Sequence, residues 1–294
     1  SFQIMKYEWT NSQYVEFLNA VDPNGTNPNS VYNADMGNNA RGGISFTSGN
    51  AAGSKYAAKT NMGDKPVNYV SWFDAARVAN WLQNGQGSGS TETGAYTLGN
   101  ATSGTAPAKN PGAQFYIPTE NQWYKAAYYK SGSTNANYWD YATKSDTAPT
   151  AVTANGTGIG SAGSTGNFAN FNDTADWNGQ NGNVTTVGTN GGPSVYDAFD
   201  MSGNVWEWND LTGAASSSRG LRGGGWNSVA SNVSSAIRNT VPSSSDGGNL
   251  GFRLASPAAP SGVPEIDPAG MGSVLALVTG ALGLVERRRK AKGA

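Results

Sequence analysis

Two carboxylates, Asp200 and Glu207, stand in the run Asp200-Met201-Ser202-Gly203-Asn204-Val205-Trp206-Glu207-Trp208, together with a glycine and two tryptophans. A carboxylate near a core is costly unless it is paired, hydrogen-bonded or bound to a cation, so Glu207 requires a neutralising partner. The alternation over residues 205–208 predicts a half-buried strand, with Trp206 and Trp208 on one face and Val205 and Glu207 on the other. Gly203 supplies the backbone freedom for the turn that precedes it. The 294 residues contain no cysteine and no histidine. Disulfides, thiolate nucleophiles, thiolate or imidazole zinc sites, Ser-His-Asp triads and the two-His-one-carboxylate iron site are therefore excluded. Any metal must be held by oxygen, which points to calcium or magnesium.

Charge narrows the partners. Charged residues make up only 13% of the chain, and the formal net charge is -1. The C-terminal tail holds five of the 19 basic residues and three of the 20 acidic ones, which leaves the body mildly acidic. Nucleic-acid binding relies on clustered Lys and Arg, so no nucleic-acid partner is expected. Arg238 and Arg253 arrive in short apolar runs expected to be strands. Their expected role is to pair with buried carboxylates such as Asp200 or Glu207, with ligand binding as the alternative.

Few regular elements are available to position these groups. Residues 2–9 are strand-like, and Thr10 with Gln13 has capping-box spacing ahead of a helix whose stripe is Tyr14, Phe17, Leu18 and Val21. Ser71 with Asp74 repeats the signature after a short strand over residues 66–70, and the inner face of that helix is expected to be Ala75, Val78, Ala79 and Leu82. Thr119 with Gln122 repeats it once more, ahead of Trp123, Ala126 and Ala127. Segments 22–65, 84–113 and 142–192 are rich in Gly, Asn, Ser and Thr and read as long surface loops.

In order, the segments Glu8-Trp9-Thr10-Asn11, Pro66-Val67, Ser71-Trp72, Asn80-Trp81-Leu82, Ile117-Pro118-Thr119-Glu120, Gly203 to Trp208, Arg222-Gly223-Gly224-Gly225-Trp226 and Gly251-Phe252-Arg253 resemble the formylglycine-generating enzyme (sulfatase-modifying factor) family. The resemblance spans roughly residues 2–255 and implies an α+β, C-type-lectin-like fold with long loops and a small antiparallel sheet. It also implies calcium. One site would take Asp200, Gly203, Val205 and Glu207, the other Asn170, Phe171, Asn181 and Asn183, although Asn181 stands where the family prefers Asp. A Glu207–arginine salt bridge without metal is the alternative for the first site. The family's oxidase depends on a copper-binding cysteine pair, and the corresponding segment here, residues 226–233, has Ser228 and Val233 and no thiol. Oxygen and aliphatic groups do not replace a soft copper(I) site. Neither copper nor iron is expected, and no catalytic residue is assigned.

Residues 257–264 read as a linker, after a domain of residues 1–256. Residues 269–285 are uncharged and mostly apolar, and Glu286-Arg287-Arg288-Arg289-Lys290 follows. Length and flanking charge predict a C-terminal apolar, membrane-spanning helix with a cytoplasmic C-terminus. Residues 265–294 resemble the PEP-CTERM sorting signal, with Ile266-Asp267 interrupting its usual Pro-Glu-Pro. That resemblance implies export, handling by an exosortase-type enzyme and residence at the cell surface or in the extracellular matrix, and export requires a leader ahead of Ser1. The expected function is a non-oxidase binding or structural module whose partner is a glycan, an extracellular polymer or a surface protein. The competing reading is a carboxylate-based hydrolase, which needs two acidic groups facing a cleft.

Overall fold

The computed structural model describes residues 1–132 and 137–258. The expected apolar helix of residues 269–285 and the sorting signal lie outside the described residues. Among those residues, no helix is long and apolar enough to cross a membrane. Residues Ser1–Pro257 form one compact unit.

The chain opens with β1 (Phe2–Ile4) and α1 (Asn11–Val21). Thr10 and Gln13 close the expected capping box: the Thr10 hydroxyl accepts from the Gln13 N–H, and the Gln13 side chain accepts from the Thr10 N–H at 2.8 Å. Tyr14, Phe17 and Leu18 are buried, while Val21 lies at the helix end and is half-buried. The loop expected over residues 22–65 contains structure of its own. A single helical turn, α2 (Asp35–Asn38), precedes an antiparallel hairpin of β2 (Ile44–Phe46) and β3 (Tyr56–Ala58). Strands of three residues are too short for an alternating pattern to emerge from the sequence.

The strand expected over residues 66–70 is instead a loop with one isolated bridge, Thr10 to Pro66, and a bend at Tyr69, whose φ is 58°. It leads into α3 (Trp72–Gln83), capped by Ser71 and Asp74 as expected. Every residue from Trp72 to Trp81 is buried, so α3 is a central helix without a solvent face, and Leu82 is only half-buried. Its polar groups are therefore paired inward. Arg77 binds Glu92 at 2.8 Å, and the Asn80 amide donates to the carbonyls of Thr91 and Tyr96. Folding the glycine-rich residues 84–113 back over the helix supplies these partners, although Arg77 Nη1 stays buried without one.

The third capping box, Thr119 with Gln122, starts α4 (Glu120–Tyr128). Replacing Thr119 with Ala should cost about 1 kcal/mol, read as a lower urea midpoint with unchanged slope. Short pairings follow. β4 (Thr150–Ala151) runs parallel to β5 (Phe168–Ala169), and Val152 next to β4 is fully buried, so part of the expected surface excursion packs into the molecule.

The main sheet has the order β8-β7-β6-β9, built from β6 (Trp206–Asn209), β7 (Ser218–Arg222), β8 (Asn239–Pro242) and β9 (Leu250–Gly251). β6 is antiparallel to β7, with Glu207 opposite Arg222, and parallel to β9, with Glu207 opposite Gly251. All four residues of β6 are buried, where the alternation predicted only one buried face. Trp208 enters the core that holds Trp72 and Trp81 and donates to the Val70 carbonyl at 3.0 Å. On the opposite face the Trp123 indole of α4 reaches Glu207. Finally β10 (Ala255–Pro257) pairs with β1, Phe2 opposite Pro257, and so closes the unit end to end.

Candidate functional site

The turn ahead of β6 is strongly bent: Asp200, Gly203 and Asn204 have φ of 59°, 93° and 65°. Asn and Asp tolerate the left-handed region through local hydrogen bonds, and glycine enters it freely. At Gly203 glycine is also required by space, since a Cβ there would lie 2.3 Å from the Asn170 carbonyl oxygen. The turn aims two polar side chains and one backbone N–H inward. Asn204 donates to Glu8 Oε2 at 2.7 Å, and its Oδ1 accepts from the Thr185 N–H at 2.9 Å. The Val205 N–H donates to Glu8 Oε1 at 3.2 Å. Asp200 accepts from the Gly188 N–H at 2.5 Å and from the Asn190 amide at 2.9 Å.

Glu207 and Arg253 are both fully buried and meet over two contacts, Nη2 to Oε1 and Nε to Oε2, each 2.6 Å. The Trp123 indole donates to Oε2 at 2.7 Å. Arg253 spends its remaining protons on the carbonyls of Met5, Lys6 and Phe199. Arg238, also expected to seek Asp200 or Glu207, instead lies at the surface, 3.3 Å from Glu120. Arg222 shares Glu120 at 2.5 Å. The sheet register decides this division, because Arg253 follows β9 directly beside β6 whereas Arg238 precedes the outer strand β8.

Three carboxylates, Glu8, Asp200 and Glu207, thus surround one guanidinium. Burial pushes the Glu8 carboxyl well above its ordinary range, and the charges of Asp200 and Glu207 push it further, against the opposing pull of Arg253 and Asn204. Burial also raises Asp200, which Gly188 and Asn190 partly offset. Burial alone would lower the Arg253 guanidinium, but Glu207, Glu8 and Asp200 more than reverse that. Glu8 and Glu207 have no exposed surface, so neither faces a cleft in the manner that a carboxylate-based hydrolase needs. Asp200 alone of the three is half-buried and reaches a shallow depression with Thr143, Phe168, Asn190 and Ser202.

The residues of the first expected calcium site therefore converge on one turn and one strand. Their fit to calcium is mixed: Asp200 keeps an accessible side, but among the described residues no three acids are grouped to hold one metal ion, and Glu207 already has a charged partner. In the second expected site, Asn170, Phe171 and Asn183 are buried and Asn181 is exposed. The Asn170 amide nitrogen faces the Asn183 carbonyl at 2.9 Å, Thr185 Oγ1 at 3.0 Å and Asn204 Oδ1 at 3.1 Å. A primary amide has two protons for these three acceptors. Asn170 Oδ1 and Asn183 Nδ2 are buried without hydrogen-bond partners. An orphaned amide oxygen is a donor that fits a hard cation, although those three acceptor oxygens surround the Asn170 nitrogen and not its Oδ1. The Asn181 carbonyl is taken by Arg41 Nη2 at 2.8 Å, and Arg41 Nε holds the Gly182 carbonyl at 3.0 Å. The guanidinium of Arg41 lies 4.3 Å from the Trp226 ring centre.

The segment expected to correspond to the family's thiols, residues 226–233, packs into the fold. Ser228 Oγ accepts from the Gly225 N–H at 2.9 Å, and its carbonyl accepts from the Asn172 N–H at 2.8 Å. Val233 has no exposed surface and packs with Ala169 and Phe171. Sequence reasoning quoted Glu8 only as part of a motif and assigned no role to Thr185 or Asn190. The available signal was a carboxylate two residues ahead of a helix cap and beside a tryptophan.

A second buried acid adjoins the site. Asp210 follows β6 and accepts from the Trp72 indole at 2.6 Å and the Tyr96 hydroxyl at 2.8 Å, with Arg219 Nε at 3.2 Å as an ion pair without hydrogen-bond alignment. Burial raises Asp210 from 3.8 to about 6, and Arg219, Tyr96 and Trp72 limit the rise. The folded state therefore holds this proton more tightly than the unfolded chain. Its stabilising contribution is complete below the unfolded value and is lost as pH rises through about 6. Urea midpoints between about pH 4 and about pH 6 should fall less steeply in Asp210→Asn than in the unsubstituted protein. Asp74, raised by burial to about 6, contributes to both in the same direction.

A family model described as "Sulfatase-modifying factor enzyme 1-like domain" matches residues 1–258. Among solved structures the chain is similar to Treponema denticola variable protein 1, with 21% identity, covering 87% of this chain and 84% of that chain at a TM-score of 0.45. It is similar to the structure titled "Crystal Structure of CarF", with 20% identity, 88% and 87% coverage and a TM-score of 0.48. It is also similar to PvdO from Pseudomonas aeruginosa, with 19% identity, 87% and 80% coverage and a TM-score of 0.43. No curated protein matches. The ordered motifs, the small sheets joined by long loops, and a family match across residues 1–258 lead to one conclusion: this chain belongs to the sulfatase-modifying factor enzyme 1-like (formylglycine-generating enzyme-type) family.

Proposed function

We propose that this member of the family is an exported, surface-associated binding or structural module that does not generate formylglycine. The observation that carries the reading is the absence of cysteine, and in the segment expected to correspond to the copper-binding pair a serine is held in a turn and a valine is fully buried. Without a thiolate the chain lacks the ligand type on which the family's copper(I) site depends. Support for a binding role comes from the loops of residues 22–65, 84–113 and 142–192, which are rich in Asn, Ser and Thr and expose the ring of Phe46, while Tyr56, Tyr96, Phe171 and Trp177 turn inward. Incubation with copper, oxygen and a cysteine-containing sulfatase-type peptide should yield no aldehyde. Aldehyde formed by the purified protein would overturn the reading.

Calcium in this reading is structural. Asp200 with the Gly203–Val205 backbone and Glu207 would hold one ion, and Asn170, Phe171 and Asn183, with Asn181 at the margin, the other. The orphaned Asn170 oxygen supports it. Calcium should raise the unfolding temperature and chelator should lower it; a flat calorimetric titration with unfolding unchanged by chelator would remove the metal from the proposal. Residence at the membrane through residues 265–294, with exosortase-type handling, rests on sequence resemblance. Its test is fractionation of the full-length protein beside one ending at residue 258. Equal distribution of the two would sink it.

A further inference from the structure

Among the described residues five large apolar side chains are exposed, and two of them, Tyr138 at 43% and Tyr196 at 45%, belong to one row of rings. The row begins where α4 ends. The Tyr129 N–H closes the helix on the Lys125 carbonyl at 3.2 Å. The chain returns with the Lys130 N–H on the Asn137 carbonyl and the Trp139 N–H on the Tyr128 carbonyl, which sets Tyr138 opposite Tyr129. Tyr196 comes from a separate turn, tied by the Ser194 N–H to the Ala198 carbonyl at 2.8 Å. Tyr196 stacks on Tyr129 at 5.6 Å and 23°, Tyr129 meets Tyr138 at 6.2 Å, and Tyr138 meets Tyr124 at 4.9 Å. Tyr124 in turn packs on the buried Tyr128 at 5.0 Å. One end of the row is thus anchored in the core and the other is open.

Charges near the row are already engaged. Lys130 binds Asp146 at 2.9 Å and stands 3.8 Å over the Trp139 ring. Lys125 lies over Tyr129, and Arg222, over Tyr124, is paired with Glu120. The segments that carry the rings bring Lys125, Lys130 and Lys144 against Asp140, Asp146 and Asp197, so they carry no excess of either sign. A neutral partner matches this balance better than an anionic polymer. Tyrosine offers an apolar face with a hydrogen-bonding rim, which suits the C–H face and hydroxyl edge of a sugar ring. Rings fixed by one another lose little freedom on contact.

We propose that Tyr196, Tyr129 and Tyr138 form a stacking surface for a neutral polysaccharide. The proposal rests on the binding-module reading and gives it a location. Its test is affinity electrophoresis of the full chain in mild nonionic detergent, in native gels containing laminarin, galactomannan or hydroxyethyl cellulose, with alginate as the anionic counterpart. At least one neutral polysaccharide should retard the protein. The double variant Tyr138→Ala/Tyr196→Ala should weaken that retardation about tenfold or more, and Tyr138→Phe/Tyr196→Phe should keep most of it. Circular dichroism should show all of them folded, as expected for substitutions at exposed positions. The proposal is overturned if no neutral polysaccharide retards the protein, or if alginate alone does so and salt abolishes it. Retardation that survives the double alanine variant would also overturn it, but would leave the binding-module reading intact with its ligand elsewhere.

Discussion

Arg253→Met should destabilise the protein by about 3–5 kcal/mol, the range expected when one partner of a buried ion pair is removed. Both side chains are fully buried, and the guanidinium makes two contacts of 2.6 Å with Glu207 as well as serving three backbone carbonyls. The loss would leave Glu207 with only the Trp123 indole, in a cluster that also contains Glu8 and Asp200. The measurement is urea unfolding of the single variant beside Glu207→Gln/Arg253→Met. Removing the uncompensated charge should recover part of the loss, whereas a single variant within about 1 kcal/mol of the parent would show that the pair contributes little. The Met5, Lys6 and Phe199 carbonyls lose their donor in both variants, so recovery will be incomplete.

Gly203→Ala should cost about 3 kcal/mol or more, the combined scale of a forced positive φ and an overpacked site. The new methyl would sit 2.3 Å from the Asn170 oxygen and 3.0 Å from the Asn170 carbonyl carbon, both backbone atoms that no rotamer change can move. Relief requires shifting the turn, and the turn carries Asn204 to Glu8 and Val205 to Glu8. Gly99→Ala makes a useful comparison. It has φ of 59° and no atom within 4 Å of the added carbon, so its cost should be the smaller, conformational part alone. Equal losses at the two positions would show that crowding against Asn170 has no weight.

The three capping boxes were legible because they are local: cap and partner lie three residues apart and depend on little beyond that turn. The demand for a partner at Glu207 was equally legible, since it follows from the cost of burying a carboxylate. Which arginine would answer was not. Arg238 and Arg253 stand in similar runs, and their roles separate only once the parallel pairing of β6 with β9 brings Arg253 to the carboxylate and leaves Arg238 on the outer side. The same limit applies to burial. Alternation in β6 predicted one wet face, but α4 lays Trp123 across it, and nothing near residue 206 in the sequence announces residue 123. Glu8 was overlooked for the same reason, since its partners are almost 200 residues away, at 204 and 205.

By itself, then, the sequence narrowed the chemistry open to these residues: the absence of cysteine and histidine removes thiolate and imidazole groups, and the ordered motifs fix the scaffold. The tertiary structure alone decided how that chemistry is arranged. It placed three carboxylates around one guanidinium, packed Val233 against Ala169 and Phe171, and aligned Tyr196, Tyr129 and Tyr138 from separate stretches of chain. Residue identity sets what a group can do, and the partner that completes or silences it is chosen by long-range packing that no local pattern encodes.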